Sequence, residues 1–225
     1  MKYSRLGISF SLMREGDIEM VRQWRNDPVV ASRYEFREYI TPEMQREWFR
    51  KVNNIGNLYT ILEYRQQKIG VINFKDIDWE QKTGEGGIFL PDPKYHSTGL
   101  PAIISCITTE LIFRVFGWNE AFAHVLQENL SVQQFVTALG YELLPGQETV
   151  HNQKYRATRE SFEARAARLK KLIRLISDSE EPGIFQVSAS SFEDPLVLEW
   201  ENKVRESPFV IRQETTHEGR FYYFG

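Results

Sequence analysis

Apolar residues recur along this chain with two alternating periods, and each change of period marks an element. Ile8 to Met13 has the character of a strand. From Asp17 the spacing becomes helical, with Ile18, Val21 and Trp24 on one face, and the string Arg25-Asn26-Asp27-Pro28 ends that helix. Thr41-Pro42-Glu43 then offers an N-cap, a proline suited to the first helical position and an acidic first turn, predicting a second helix to about Val52. Leu58 to Tyr64 and Lys68 to Asp78 read as strands joined by the short turn Arg65-Gln66-Gln67. Ile69, Val71, Ile72 and Phe74 make the second of them apolar enough for the middle of a sheet.

The run Gly86-Gly87-Ile88-Phe89-Leu90 is stopped by Pro91-Asp92-Pro93. His96-Ser97-Thr98-Gly99-Leu100-Pro101-Ala102 then leads into Ile103, Ile104, Ile107, Leu111, Ile112 and Val115 at helical spacing. Ala121 to Leu126 reads as a strand, Leu130 to Leu139 as a helix closed by Gly140, and Gln153 to Thr158 as another strand. Ser161 to Ile176 reads as a helix with Phe162, Leu169, Ile173 and Ile176 in one stripe. Residues 178 to 183 have the charge and turn residues of a linker, and the tail beyond suggests strand, helix, strand, strand.

A strand feeding a helix N-terminus brings chemistry with it. The first helical amides have no intrahelical acceptor and the helix dipole adds positive charge, so such a turn can hold a pyrophosphate. The segment from Glu85 to Gly140 resembles the acyl-CoA-binding core of the GNAT superfamily of N-acyltransferases, whose turn is written Q/R-x-x-G-x-G/A. His96 stands at the Gln/Arg position and Gly99 at the first glycine, while Pro101 replaces the second small residue and Ala102 supplies the next amide. Gly99 lets phosphate approach the backbone and meets any requirement for a positive φ. An ordinary strand-to-helix connection is the other reading of the same residues.

The resemblance continues from Asn129 through the next helix to Gly140-Tyr141. It implies a cradle from His96, Ser97, Thr98, Gly99, Leu100 and Ala102, with backbone of Phe89 and Leu90 polarising the thioester carbonyl and Asn129 holding the pantetheine arm. Relatives often carry a Tyr that protonates the departing thiolate where this chain has Phe135-Val136. The string from Trp24 to Pro28 resembles the branch containing ribosomal-protein alanine acetyltransferases and acetyltransferases of nucleotide-linked amino sugars. Trp24, Arg25, Asn26 and Asn73 are then expected on the acceptor side. For Arg25 a structural ion pair with Asp27 or Glu19 stands ahead of the acceptor role, and Asn73 could equally be satisfied by neighbouring backbone. Glu85 and His124 are the titratable side chains best placed to take the amine's proton, with a solvated carboxylate and a hydrogen-bonded histidine as the bland alternatives.

The implied fold is α/β in the α+β sense, a GNAT-like mixed, mostly antiparallel sheet with splayed central strands flanked by helices. Residues 1–177 form the acyltransferase domain, 178–183 the linker and 184–225 a small C-terminal appendage: a packed subdomain, a dimerisation element that would make a homodimer, or a partner-binding module. The implied cosubstrate is acetyl-CoA. The acceptor implied first is a nucleotide-linked amino sugar, with a protein N-terminus or small amine as alternative and a binding protein of weak catalysis as a third reading.

Composition narrows the classes. At 225 residues and 41% hydrophobic content, the chain suits one large domain or one with an appendage. It has no apolar run near the ~20 residues that span a bilayer, and no apolar core of a signal peptide at its start, so a cytoplasmic location is expected. The single Cys106 reads as a buried structural thiol. The net charge of −3 divides into −6 over residues 178–225 and +3 over the rest. Eight Lys/Arg between Lys154 and Arg174 read as a solvated helix face or as a site for nucleotide phosphates. No zinc spacing, P-loop or nucleophile elbow is present, so metal dependence is not expected, and a pI near 5.9 without a basic, aromatic-interleaved stripe argues against nucleic-acid binding.

Overall fold

The computed structural model describes residues 1–32, 36–177 and 181–224. Its strands are β1 (Lys2–Arg5), β2 (Ile8–Leu12), β3 (Leu58–Tyr64), β4 (Gln67–Asp78), β5 (Thr83–Phe89), β6 (Glu120–Leu126), β7 (Glu142–Leu143), β8 (Asn152–Thr158), β9 (Gly183–Ser188), β10 (Val210–Thr215) and β11 (Gly219–Phe224). The α-helices are α1 (Ile18–Asn26), α2 (Pro28–Ala31), α3 (Pro42–Val52), α4 (Leu100–Glu110), α5 (Leu130–Ala138), α6 (Arg159–Ser177) and α7 (Pro195–Arg205).

Local signals set most of these boundaries. Thr41 accepts from the Met44 amide at 3.2 Å and starts α3, with Pro42 in the first turn. Arg65 and Gln66 both take positive φ, the geometry a two-residue hairpin needs to match strand twist. Gly140, at φ +94°, ends α5. The helix begun by α4 runs on through a π-helical turn from Leu111 to Val115.

All strands join one sheet of order β10-β11-β9-β1-β2-β3-β4-β5-β6-β8-β7. Among the described residues its pairings are antiparallel except β5 with β6, which is parallel. On one face α1 and α3 cover Met13, Ile61, Val71 and Phe89, and a larger cluster gathers Leu62, Ile72 and Phe74 with α4 residues such as Ile104 and Ile107. Cys106 lies buried in that larger core, where burial pushes its thiol up to about 12.

Two features differ from the expected pattern. β1, with its polar sequence Lys-Tyr-Ser-Arg, has no apolar run to announce it and forms by pairing with β2 and β9. The segment expected as an appendage continues the main sheet: Tyr3 pairs with Phe185 across β1 and β9, and Trp200 of α7 packs 5.5 Å from both Trp79 and Phe116. Of the expected linker, residues 178–180 lie outside the described residues, as do the side chains of Ile173 and Ile176; Gly183 already belongs to β9. No helix among the described residues is long and apolar enough to cross a membrane.

Candidate functional site

The site is made by two strands that part. β5 and β6 pair only through Thr83 with Glu120, Gly84 with Ala121 and Glu85 with Phe122. Beyond Glu85, β5 stays with β4 as far as Phe89 opposite Val71, while β6 stays with β8 as far as Leu126 opposite Asn152. Gly84 belongs to the closed part, where a Cβ would sit 2.4 Å from the Trp118 ring. The wedge between the diverging ends opens into a cleft of about 1270 Å³. That exceeds the roughly 300–1,000 Å³ of ordinary single-ligand pockets, and it gives room for two molecules to meet.

Glu85 and His124 meet at the apex. His124 Nδ1 is 2.7 Å from Glu85 Oε2, and Lys75 Nζ is 2.9 Å from Oε1. The Glu85 side chain is 13% exposed and that of His124 31%, so the pair is sheltered yet reachable. A carboxylate can only accept here, so Nδ1 carries the hydrogen of this contact. Sequence reasoning named both residues separately, and the fold brings them into contact.

On the α4 side the expected cradle is narrower than its sequence. His96 Nε2 lies 2.8 Å from the Leu90 carbonyl, holding the end of β5 against the turn. Thr98 Oγ1 donates to the Tyr95 carbonyl at 2.7 Å and accepts from the Leu100 amide at 3.2 Å, so Thr98 and the Leu100 N–H are engaged within the turn. Pro101 has no N–H. The amides of Ser97, Gly99 and Ala102 are the ones in this turn without an acceptor among the described residues. Gly99 has φ −70° and ψ −9°, so the anticipated positive φ is absent and its one asset is open space, with no atom within 4 Å of where a Cβ would sit.

Asn129 caps α5, its Oδ1 accepting from Ser131 Oγ at 3.0 Å and from the Val132 amide at 3.3 Å. Phe135 follows in the cleft wall, and α5 carries no tyrosine. Tyr141 at the motif's end is a wall residue too, with burial holding its phenol up at about 12.

Three acceptor-side expectations change. Asn26 donates to the Ile40 carbonyl at 2.9 Å and accepts from the Ile40 amide at 2.8 Å, so both ends of its amide tie the loop after α2 to α1. Trp24 packs edge-on to Phe89 at 6.3 Å and is absent from the cleft wall. Arg25 lines the cleft with its guanidinium 5.8 Å above the Phe89 ring and donates to the Phe36 carbonyl. Its two anticipated partners are used elsewhere, Glu19 by Arg22 at 2.7 Å and Asp27 as the cap of α2. Asn73 does face the cleft, lying across the Cα of Gly87 on β5.

A family model described as "Acetyltransferase (GNAT) domain" matches residues 8–142, more than half of the chain. The chain belongs to the GNAT acetyltransferase family. Among curated protein sequences none matches. Solved structures share the fold at low identity. A spermidine N-acetyltransferase from Vibrio cholerae, solved with CoA and spermine, is 15% identical with a TM-score of 0.61, covering 70% of this chain and 99% of its own. A domain from Methanocaldococcus jannaschii gives 16%, 0.58, 67% and 97% in the same order. A dodecameric form of the Vibrio cholerae enzyme gives 12%, 0.54, 68% and 92%.

In this GNAT chain the acyl donor is acetyl-CoA; of the expected cradle His96 lines the cleft, as does Asn129, while Ser97, Thr98, Gly99, Leu100 and Ala102 are absent from its wall. Sequence reasoning passed over Gln45, Trp48, Tyr59 and Lys75, all of which line the cleft. Gln45 did leave a signal. It is a polar residue at an apolar position of the α3 stripe that continues through Trp48, Phe49 and Val52.

Proposed function

We propose that this GNAT acetyltransferase N-acetylates the primary amine of a small molecule, with the Glu85–His124 pair receiving the proton. The observation that carries this reading is the pair's place at the apex, where coenzyme from the α4 side and amine from the α1–α3 side would meet. His124 Nε2 takes a proton from the ammonium. The amine nitrogen then attacks the acetyl carbon, the C–S bond breaks, and CoA leaves as a thiolate; the nitrogen's second proton passes through water to that thiolate, α5 having no tyrosine to give one. Backbone N–H groups on the β5 edge that has lost β6 are available to polarise the thioester carbonyl.

A small amine is favoured over a nucleotide-linked amino sugar. Arg25, expected to pair with an acceptor phosphate, lies on Phe89 and donates to the Phe36 carbonyl. The likeness to a spermidine N-acetyltransferase supports a small amine without deciding which. Release of CoA thiol from acetyl-CoA, followed across primary amines, amino sugars linked to nucleotides and peptide N-termini, tests the reading. Turnover confined to nucleotide-linked sugars or peptides would replace it.

A further inference from the structure

Two side-chain amides face the acceptor half of the cleft with no hydrogen-bond partner among the described residues. Gln45 of α3 is only 5% exposed, and Asn73 of β4 is partly buried. Beside them the Tyr59 hydroxyl, directly across the β3–β4 ladder from Asn73, also has no described partner, and burial raises its pKa. Buried amides are normally bonded, so one that is nine-tenths buried and turned to a cavity marks a place where a ligand supplies the partner. Apart from Arg25, whose guanidinium lies over the Phe89 ring, the rest of this half is apolar: Val21, Val30, Ile40, Met44 and Trp48 form its wall, and Phe36 stands 46% exposed at the mouth. Trp48 is fixed edge-on to Tyr59 at 4.9 Å, giving the wall a rigid aromatic corner.

The charge inventory points the same way. Among the described residues Glu85 is the one carboxylate in the cleft wall, and both of its oxygens are engaged by Lys75 and His124. A polyamine brings further ammonium groups that need carboxylates of their own, and among the described residues this wall of apolar side chains, neutral amides and the Arg25 guanidinium offers them none. Resting on the N-acetyltransferase reading, we propose that the acceptor is a monoamine with an apolar, aromatic-sized body and an uncharged hydrogen-bonding group, held by Gln45 and Asn73, and that these two amides set specificity against polyamines. Each amide offers both a donor and an acceptor, so a hydroxyl or a carbonyl on the acceptor satisfies them equally.

Steady-state CoA release with tyramine and with spermidine as probes tests this on the full chain. Tyramine is expected to be used about ten-fold or more better in kcat/KM, and Gln45→Leu to raise the tyramine KM about ten-fold with the acetyl-CoA KM unmoved, the size of one lost hydrogen bond. Gln45→Glu, which places a carboxylate in that wall, should shift preference toward spermidine. Gln45→Leu replaces an unpartnered buried amide with an apolar group of similar size, so it is expected to fold. Spermidine preferred by the parent protein, or an unchanged tyramine KM in Gln45→Leu, overturns the assignment. If no amine releases CoA, the N-acetyltransferase reading falls, and calorimetric titration of the CoA-loaded protein decides the acceptor separately. Tyramine binding above spermidine and weakened by Gln45→Leu upholds it; the reverse order refutes it.

Discussion

His124 Nδ1 sits 2.7 Å from Glu85 Oε2 at the last point where β5 and β6 are still paired. The contact joins residues 39 positions apart and, on the proposed reading, orients the second imidazole nitrogen as the base of the apex. Replacing His124 with Ala, or Glu85 with Gln, is expected to lower kcat by about 10²–10⁴, the range of a positioned general base. Acetyl-CoA binding by calorimetry should stay within about two-fold, since neither side chain belongs to the α4 turn. Full kcat in both variants would remove the pair from the mechanism.

Gly99 tests the coenzyme turn without testing the fold. Its helical φ and the open space at its Cβ position mean that Gly99→Ala should be neutral or stabilising by about 0.4–1 kcal/mol, through lost freedom in the unfolded chain. Gly99→Val should also fold, while its branched side chain stands in the path of the pyrophosphate and weakens acetyl-CoA by about ten-fold or more. Circular dichroism and calorimetry read the two effects separately, and unchanged affinity in Gly99→Val would move the cradle elsewhere.

Asn26→Ala removes two hydrogen bonds to Ile40 at once. At roughly 0.5–1.5 kcal/mol for each bond, a loss of about 1–3 kcal/mol is expected in urea unfolding. Because Phe36 and Ile40 line the acceptor half, the acceptor KM should rise while the acetyl-CoA KM holds. Equal effects on both substrates would show that Asn26 supports the domain as a whole.

Alkaline stability has a defined window. Burial pushes the Tyr3 and Tyr141 phenols from 10.0, and the Cys106 thiol from 9.0, up to about 12. In the unfolded chain these groups lose their protons first, so above pH 9 the native state binds more protons and stability falls as pH rises toward 12. Each group contributes a slope of about 1.4 kcal/mol per pH unit, Cys106 beginning one unit before the tyrosines. Urea unfolding at stepped pH should show this, and Cys106→Ala should delay the onset to the tyrosine range. A flat profile across the window would mean that these groups are less enclosed than the core implies.

What the sequence determined by itself was everything carried by neighbours along the chain. The helical spacing of Ile18, Val21 and Trp24 gave α1, the Thr41-Pro42 signal gave the start of α3, and Gly140 gave the end of α5, because caps and amphipathic faces depend on residues within one or two turns. The order of strand, turn and helix from Gly86 to Gly140 was enough to point to the family that residues 8–142 match. Only the tertiary structure decided what depends on partners far apart. β1 has no apolar signature and exists because Phe10 and Phe185 flank Tyr3 in the ladder. Asn26, read as a substrate group, is used up by Ile40, and Arg25 by Phe36 and Phe89, choices made by how the 36–40 loop folds back. Gln45 showed in the sequence only as a polar break in the α3 stripe, because an unsatisfied amide is defined by what surrounds it in space. Glu85 and His124 became one site because β5 and β6 run side by side for three residue pairs and then diverge, and strand register over such distances is fixed by the packing of the whole sheet rather than by any local pattern.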